Sequence, residues 1–171
     1  MKKLILAVAL LFSGCTGIPE GVTAIEGFEV NRYLGKWYEI ARLDHRFERG
    51  LNRITADYRL RDDGGLDIIN SGYNIKTGER EQAEGRAYFT GAANVGRLKV
   101  SFWGPFYGGY NIIELDKQNY SYALVTGPDR DYLWILSRIP VLDSTILKKL
   151  IDKARALGFA TEQLIFTDQE G

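Results

Sequence analysis

Cysteine and histidine are nearly missing from this chain of 171 residues, which carries one of each. A single cysteine excludes an intramolecular disulfide, and one cysteine with one histidine excludes a zinc finger. Proline is also scarce, 4 residues against 19 glycines, so tight turns are expected in place of proline-rich linkers. Charge of one sign is lacking as well. Lysine plus arginine equals aspartate plus glutamate at 22 each, which leaves no global basic field to hold nucleic acid. The apolar run Leu4–Phe12 falls short of the ~20 residues that a membrane-spanning helix needs. No Gly-x-Ser-x-Gly elbow, phosphate loop or His-Glu-x-x-His motif occurs, which argues against the hydrolases, nucleotide enzymes and zinc proteases built on them. What remains is 45% hydrophobic, 12% aromatic and 26% charged, a composition suited to one globular domain.

The amino end has the layout of an export signal. Met1-Lys2-Lys3 is basic, Leu4–Phe12 is apolar, and Ser13 and Gly14 are small residues at a cleavage point. Leu11-Phe12-Ser13-Gly14-Cys15 resembles the lipobox of bacterial lipoproteins, with Phe12 in place of the usual leucine. The resemblance implies removal of residues 1–14 and acylation of Cys15. Thr16 after the cysteine, where an aspartate would retain the protein, favours sorting to the outer membrane. Two or more acyl chains make such anchoring stable where one is marginal. Loss of Lys2 and Lys3 leaves 20 basic against 22 acidic residues. Residues 15–33 are expected to form the acylated terminus and a tether reaching at most about 60 Å. Phe28, Val30 and Tyr33 should shorten it by docking on the domain, which is assigned to residues 34–171.

From residue 34 onward, short runs of aromatic and β-branched residues alternate with turn signals, the pattern of an all-β sandwich or barrel. Strands are predicted at about 36–43, 54–61, 66–74, 82–90, 97–103, 109–116, 119–126 and 131–138. Asp62-Asp63-Gly64-Gly65, Lys76-Thr77-Gly78-Glu79 and Asp116-Lys117-Gln118-Asn119 supply hairpin turns. Nothing between the strands reads as a crossover helix, so antiparallel up-and-down order is expected. One helix is predicted over about 143–157, capped by Asp143 or Ser144 and ended by Gly158. Its apolar stripe of Ile146, Leu147, Leu150, Ile151, Ala154 and Leu157 needs a surface to cover. The last strand provides one, because Leu133 and Ile135 face opposite to Tyr132, Trp134 and Leu136. Residues 164–166 are expected to return as a short edge strand.

Eight antiparallel strands can close on themselves, with an interior either filled by side chains or wide enough for one small ligand. Small residues on the expected inner face favour a cavity: Ala56 beside Tyr58, then Ile68, Asn70 and Gly72, then Gly85 and Ala87. Leu98, Val100 and Phe102, followed by Asn111 and Ile113, complete a mostly apolar wall suited to lipid-like ligands. On this parity Tyr110 and Ile112 face outward, where they offer a contact for a homodimer. Glu39 shares the parity of Trp37 and is read as paired with an arginine or placed at the rim. His45, among Asp44, Arg46, Glu48 and Arg49, reads as part of a solvated loop.

Residues 31–42, Asn-Arg-Tyr-Leu-Gly-Lys-Trp-Tyr-Glu-Ile-Ala-Arg, resemble the Gly-x-Trp signature that opens the first strand of lipocalins. Residues 127–138, Gly-Pro-Asp-Arg-Asp-Tyr-Leu-Trp-Ile-Leu-Ser-Arg, resemble the later signature that ends in that family's arginine. Together with the lipobox, residues 44–50 and 104–109 place the resemblance in the apolipoprotein D-like, bacterial outer-membrane branch. The family implies an eight-stranded β-barrel with an external carboxy-terminal helix, and no metal or cofactor. Gly35, Trp37 and Arg138 are expected to hold the fold, with the Arg138 guanidinium across the Trp37 indole. The resemblance further implies a non-enzymatic carrier of fatty acids such as palmitate, or of lysophospholipids, for storage or transport in the envelope. The expected lining is Ala56, Tyr58, Ile68, Asn70, Ala87, Val100, Phe102, Asn111, Ile113, Tyr132 and Trp134. Two other readings stay open: a structural envelope lipoprotein that binds proteins, and a carboxylate-based esterase of membrane lipids.

Overall fold

A computed structural model describes residues 15–170; the signal peptide expected over residues 1–14 lies outside the described residues. The chain forms a short helix α1 (Val30–Tyr33) and then eight strands. These are β1 (Gly35–Arg42), β2 (Leu51–Leu60), β3 (Leu66–Asn74), β4 (Arg80–Phe89), β5 (Arg97–Trp103), β6 (Phe106–Leu115), β7 (Tyr122–Thr126) and β8 (Leu133–Ser137). Helix α2 (Ser144–Ala156), a 3-10 turn (Thr161–Gln163) and strand β9 (Ile165–Phe166) complete it. Each strand from β1 to β8 pairs antiparallel with its sequence neighbour, and β8 returns to β1, closing the barrel. Closure pairs the outermost strands and so removes the open edges that a flat sheet would expose.

The seam is made in two parts. Over its first half β1 pairs with β2, in register Gly35↔Tyr58 to Tyr38↔Thr55. Beyond that the two strands diverge, and the carboxy-terminal segment lies between them. β9 pairs with Ala41 and Arg42, and the Thr167 amide donates to the Ile40 carbonyl at 3.0 Å. The Gln169 amide nitrogen donates to the carbonyls of both Glu39 and Ile54, at 2.7 and 2.8 Å. The predicted edge strand is therefore part of the barrel wall.

A β-bulge between Glu39 and Ala41 turns Ile40 and Ala41 to the outer cluster and leaves Glu39 and Arg42 both directed inward. Helix α2 follows the sequence closely. The Asp143 carboxylate accepts from the amides of Thr145 and Ile146, and Gly158 takes a left-handed φ of +88° at the carboxy end. Buried Leu150 and Ala154 pack over Leu133, Ile135, Leu124 and Ile113 outside the barrel. Lys153 bridges to Glu114 across the same contact.

The docking expected of Phe28, Val30 and Tyr33 is found, and it starts further back, since Val22 and Ala24 are buried too. Ile25 exchanges backbone hydrogen bonds with Ile112 and Gly96, and Phe28 joins the core beneath the barrel. One expectation requires correction: the inward parity assigned to the sixth strand is reversed. A bulge between Ile112 and Glu114 puts Ile113 under the helix, while Tyr110 and Ile112 point inward. Tyr110 and Ile112 therefore offer no outward face for a dimer.

The base of the barrel is shut by aromatic packing. Trp37 is fully buried, its indole nitrogen donates to the Tyr33 carbonyl at 2.9 Å, and the Arg138 guanidinium lies 3.9 Å from its ring centroid. Arg138 also donates to the carbonyls of Arg32, Lys36 and Tyr120, so one cation ties α1, β1 and the turn before β7 together. Gly35 has a φ of +90°, a backbone region that L side chains rarely adopt. Truncating the indole, Trp37→Ala, is expected to lower stability by about 3–5 kcal/mol in denaturant unfolding while circular dichroism remains β-rich.

Candidate functional site

The inner wall divides into a packed floor and an accessible upper part. The floor comprises Tyr33, Trp37, Leu66, Leu98, Ile112, Leu115, Ala123 and Val125, all buried. Above them Ala56, Val100, Phe102, Tyr110 and Trp134 face the same interior but remain partly open to solvent. These partly open inner side chains lie toward the end where the loops joining β1–β2, β3–β4, β5–β6 and β7–β8 stand, the end at which a cup would have its mouth.

Most of the expected lining is where the sequence predicts. Tyr58, Ile68 and Ala87 are buried in the inner cluster, Ala56, Val100, Phe102 and Trp134 pack against it, and Asn70 pairs with Ala56 across β2 and β3. Tyr132 stacks on Trp134 with ring centroids 6.2 Å apart. Asn111 and Ile113 do not belong to the cup. The Asn111 amide nitrogen donates to the carbonyls of Gly17 and Gly127, beneath the amino-terminal segment outside the barrel. Ile113 lies beneath α2. Two small inward positions also leave less room than their size implies. A Cβ on Gly85 would meet the Phe102 ring at 2.7 Å, and one on Gly72 would meet Leu51 and Ile54. These neighbours take up part of the volume that the glycines release.

Two polar clusters lie inside the barrel, of which the sequence indicated only the pairing of Glu39 with an arginine. At mid-height, the Tyr110 hydroxyl lies 2.7 Å from that of Tyr33 and 2.8 Å from that of Tyr58. Burial pushes all three hydroxyls above the usual tyrosine range, so they stay protonated and act as a neutral hydrogen-bonding set. The reversed parity of β6 concealed this triad.

Higher up lies a charged cluster. The Arg42 guanidinium bonds Glu39 at 2.8 Å, both side chains being almost wholly buried, and it also donates to the Glu48 carbonyl. Thr167 donates its hydroxyl to Glu39 at 2.5 Å. The Glu48 carboxylate receives the Trp134 indole N–H at 3.2 Å and sits 2.9 Å from His45 Nε2. His45 packs edge-on against Trp134 and beside Tyr132, with centroids 5.3 and 5.9 Å away. His45 is thus buried, contrary to the solvated loop expected for it, because the loop after β1 folds inward over the mouth. Glu39 takes the arginine-paired alternative.

The surroundings of the two carboxyl groups shift their proton affinities in opposite directions. Burial pushes Glu39 well above the usual glutamate range, and the nearby charge of Glu48 adds to the shift. Burial pushes Glu48 the same way, but the hydrogen bond and charge of His45, with hydrogen bonds from Glu39 and Trp134, hold it below that range. Arg42 thus faces two carboxyl groups whose affinities for a proton are pushed in opposite directions. An unfolded Glu39 ionises near pH 4.3, before the folded one does, so its contribution to stability falls as pH rises above that point. Glu39→Gln should flatten this decline, and thermal melts between about pH 5 and 8 should show a smaller fall in Tm than the parent.

Comparison with known proteins locates this geometry. Residues 28–169 match the model of the lipocalin-like domain. The chain is 53% identical over 162 residues to the outer membrane lipoprotein Blc of Vibrio cholerae, covering 95% of each chain. It is 57% identical over 153 residues to the outer membrane lipoprotein Blc of Escherichia coli, covering 90% of this chain and 86% of that one. Among solved structures, insecticyanin from the tobacco hornworm superposes with a TM-score of 0.71 at 22% identity, covering 89% of this chain and 86% of that one. That last likeness concerns the fold alone.

Proposed function

Since this chain belongs to the lipocalin family, we propose that its cup binds a fatty acid or a lysophospholipid and holds it for storage or transport in the envelope. The protein is an outer-membrane lipoprotein with a small-ligand barrel, like its bacterial relatives. Acylation at Cys15, exposed at the first described position, is part of the same proposal. So is a location on the periplasmic face.

The observation that carries the reading is the gradient along the inner wall. Ala56, Val100, Phe102 and Trp134 present partly open apolar surface above a sealed aromatic floor. Each methylene buried against such a surface contributes about 0.8 kcal/mol, so a long acyl chain supplies ample gross affinity before ordering costs reduce it. The tyrosine triad and the cluster around Arg42 give a polar head fixed partners where a purely apolar cup would give none. These groups sit in no nucleophile–base arrangement, so the reading is of a carrier and not of an esterase.

Native mass spectrometry of delipidated protein titrated with a lysophospholipid tests this directly. A one-to-one complex is expected, and its absence at about 50 μM lipid would overturn the proposal. Trp134→Ala should weaken that complex on the order of tenfold, with the β-rich spectrum retained. Unchanged affinity would remove Trp134 from the lining.

A further inference from the structure

The rim of the cup carries apolar side chains that the fold does not use. Phe47 in the β1–β2 loop is 60% exposed, and Ile75 in the β3–β4 turn is 63% exposed. Trp103 and Phe106, paired at the tip of the β5–β6 hairpin, are each 76% exposed. All four stand at the same end of the barrel, on three of the four loops that surround the mouth. Isolated exposed apolar residues are ordinary, but a ring of large ones around one opening marks an interaction surface. Cations accompany them. The Arg46 guanidinium lies 5.1 Å from the Phe47 ring, Lys76 follows Ile75, and the Lys99 ammonium lies 4.7 Å from the Tyr107 ring. Aromatic tips with adjacent lysine and arginine suit the boundary between acyl chains and anionic headgroups.

The amino terminus identifies the occupant. Cys15 is held on the barrel: its carbonyl accepts from the Gly109 amide at 2.7 Å, and the Gly17 carbonyl accepts from Asn111. Gly109 lies three residues along β6 from Phe106, about 10 Å from the hairpin tip. Acyl chains on Cys15 would therefore leave the molecule beside the mouth, where a long free tether would leave orientation undetermined. We infer that the rim formed by Phe47, Ile75, Trp103 and Phe106 docks in the lipid leaflet that holds the acylated Cys15, so that the cup opens directly onto the membrane surface. The inference rests on the proposed lipidation and lipid-binding cup. A ligand then passes between leaflet and barrel without crossing bulk water.

The full acylated lipoprotein, incorporated in phosphatidylethanolamine–phosphatidylglycerol vesicles, allows a test. Part of the phospholipid carries bromine near the headgroup end of its acyl chains. Quenching of tryptophan emission is expected, and the quenched component should vanish in Trp103→Phe. The triple variant Phe47→Ser, Trp103→Ser, Phe106→Ser should extract lysophospholipid from the vesicles about tenfold more slowly, while its affinity for dispersed lysophospholipid stays at the parent value. Absence of Trp103 quenching in acylated protein that still binds lysophospholipid would overturn the docked rim. Shielding of Trp103 that follows protein density and ignores bromination would also overturn it, assigning the rim to a second copy. Quenching of Trp103 with no lysophospholipid bound by any variant would support the docked rim and sink the cup reading instead.

Discussion

Closure of the sheet at β1 is the constraint from which the other features follow. A strand has two edges, and β1 must satisfy both over its whole length if the barrel is to have an inside. β8 takes one edge. The other is shared, with β2 on the first half and the segment from Ile165 to Gln169 on the second. The bulge between Glu39 and Ala41 lies where this change of partner occurs, and it brings Arg42 inward to meet Glu39. The buried Arg42–Glu39 contact is thus tied to the seam, and a hydroxyl hydrogen bond from Thr167 on the sealing segment adds to it. Such a pair is a poor source of net stability, since desolvation of the two groups opposes their attraction.

Much of the architecture was legible in the sequence because periodicity and turn chemistry act locally. All eight strands, the capped helix and its docking over Leu133 and Ile135 follow from side-chain alternation and from Asp143 and Gly158. In β8, which carries no bulge against β7, parity assigns Trp134 inward and Leu133 outward correctly. In β6 the same reasoning fails. One extra residue at the bulge lets Ile113 and Glu114 share the outer face, so a parity carried straight through the strand is wrong for Asn111 and Tyr110. No local signal in the sequence marks that bulge.

The candidate site was less legible, for two tertiary reasons. His45 lies among charged neighbours, which reads as solvated, yet Glu48 and Arg42 turn inward with it, and Glu48 lies within ion-pair distance of both beneath the loop. Volume is likewise a property of the assembled wall. Gly72 and Gly85 appear as space in a list of residues, but Leu51, Ile54 and Phe102 lie over them. The signature residues Trp37 and Arg138 were easier, because a conspicuous pair with a structural task meets at the closed base, away from the mouth.

The seam has a bearing on how the molecule is assembled. Strands β1 to β8 are all present in the chain well before Ile165. A polypeptide delivered amino end first can therefore form its entire meander while the upper flank of β1 still lacks a hydrogen-bonding neighbour. Final sealing falls to a handful of late residues, which act as a zip drawn up after the garment is already in shape.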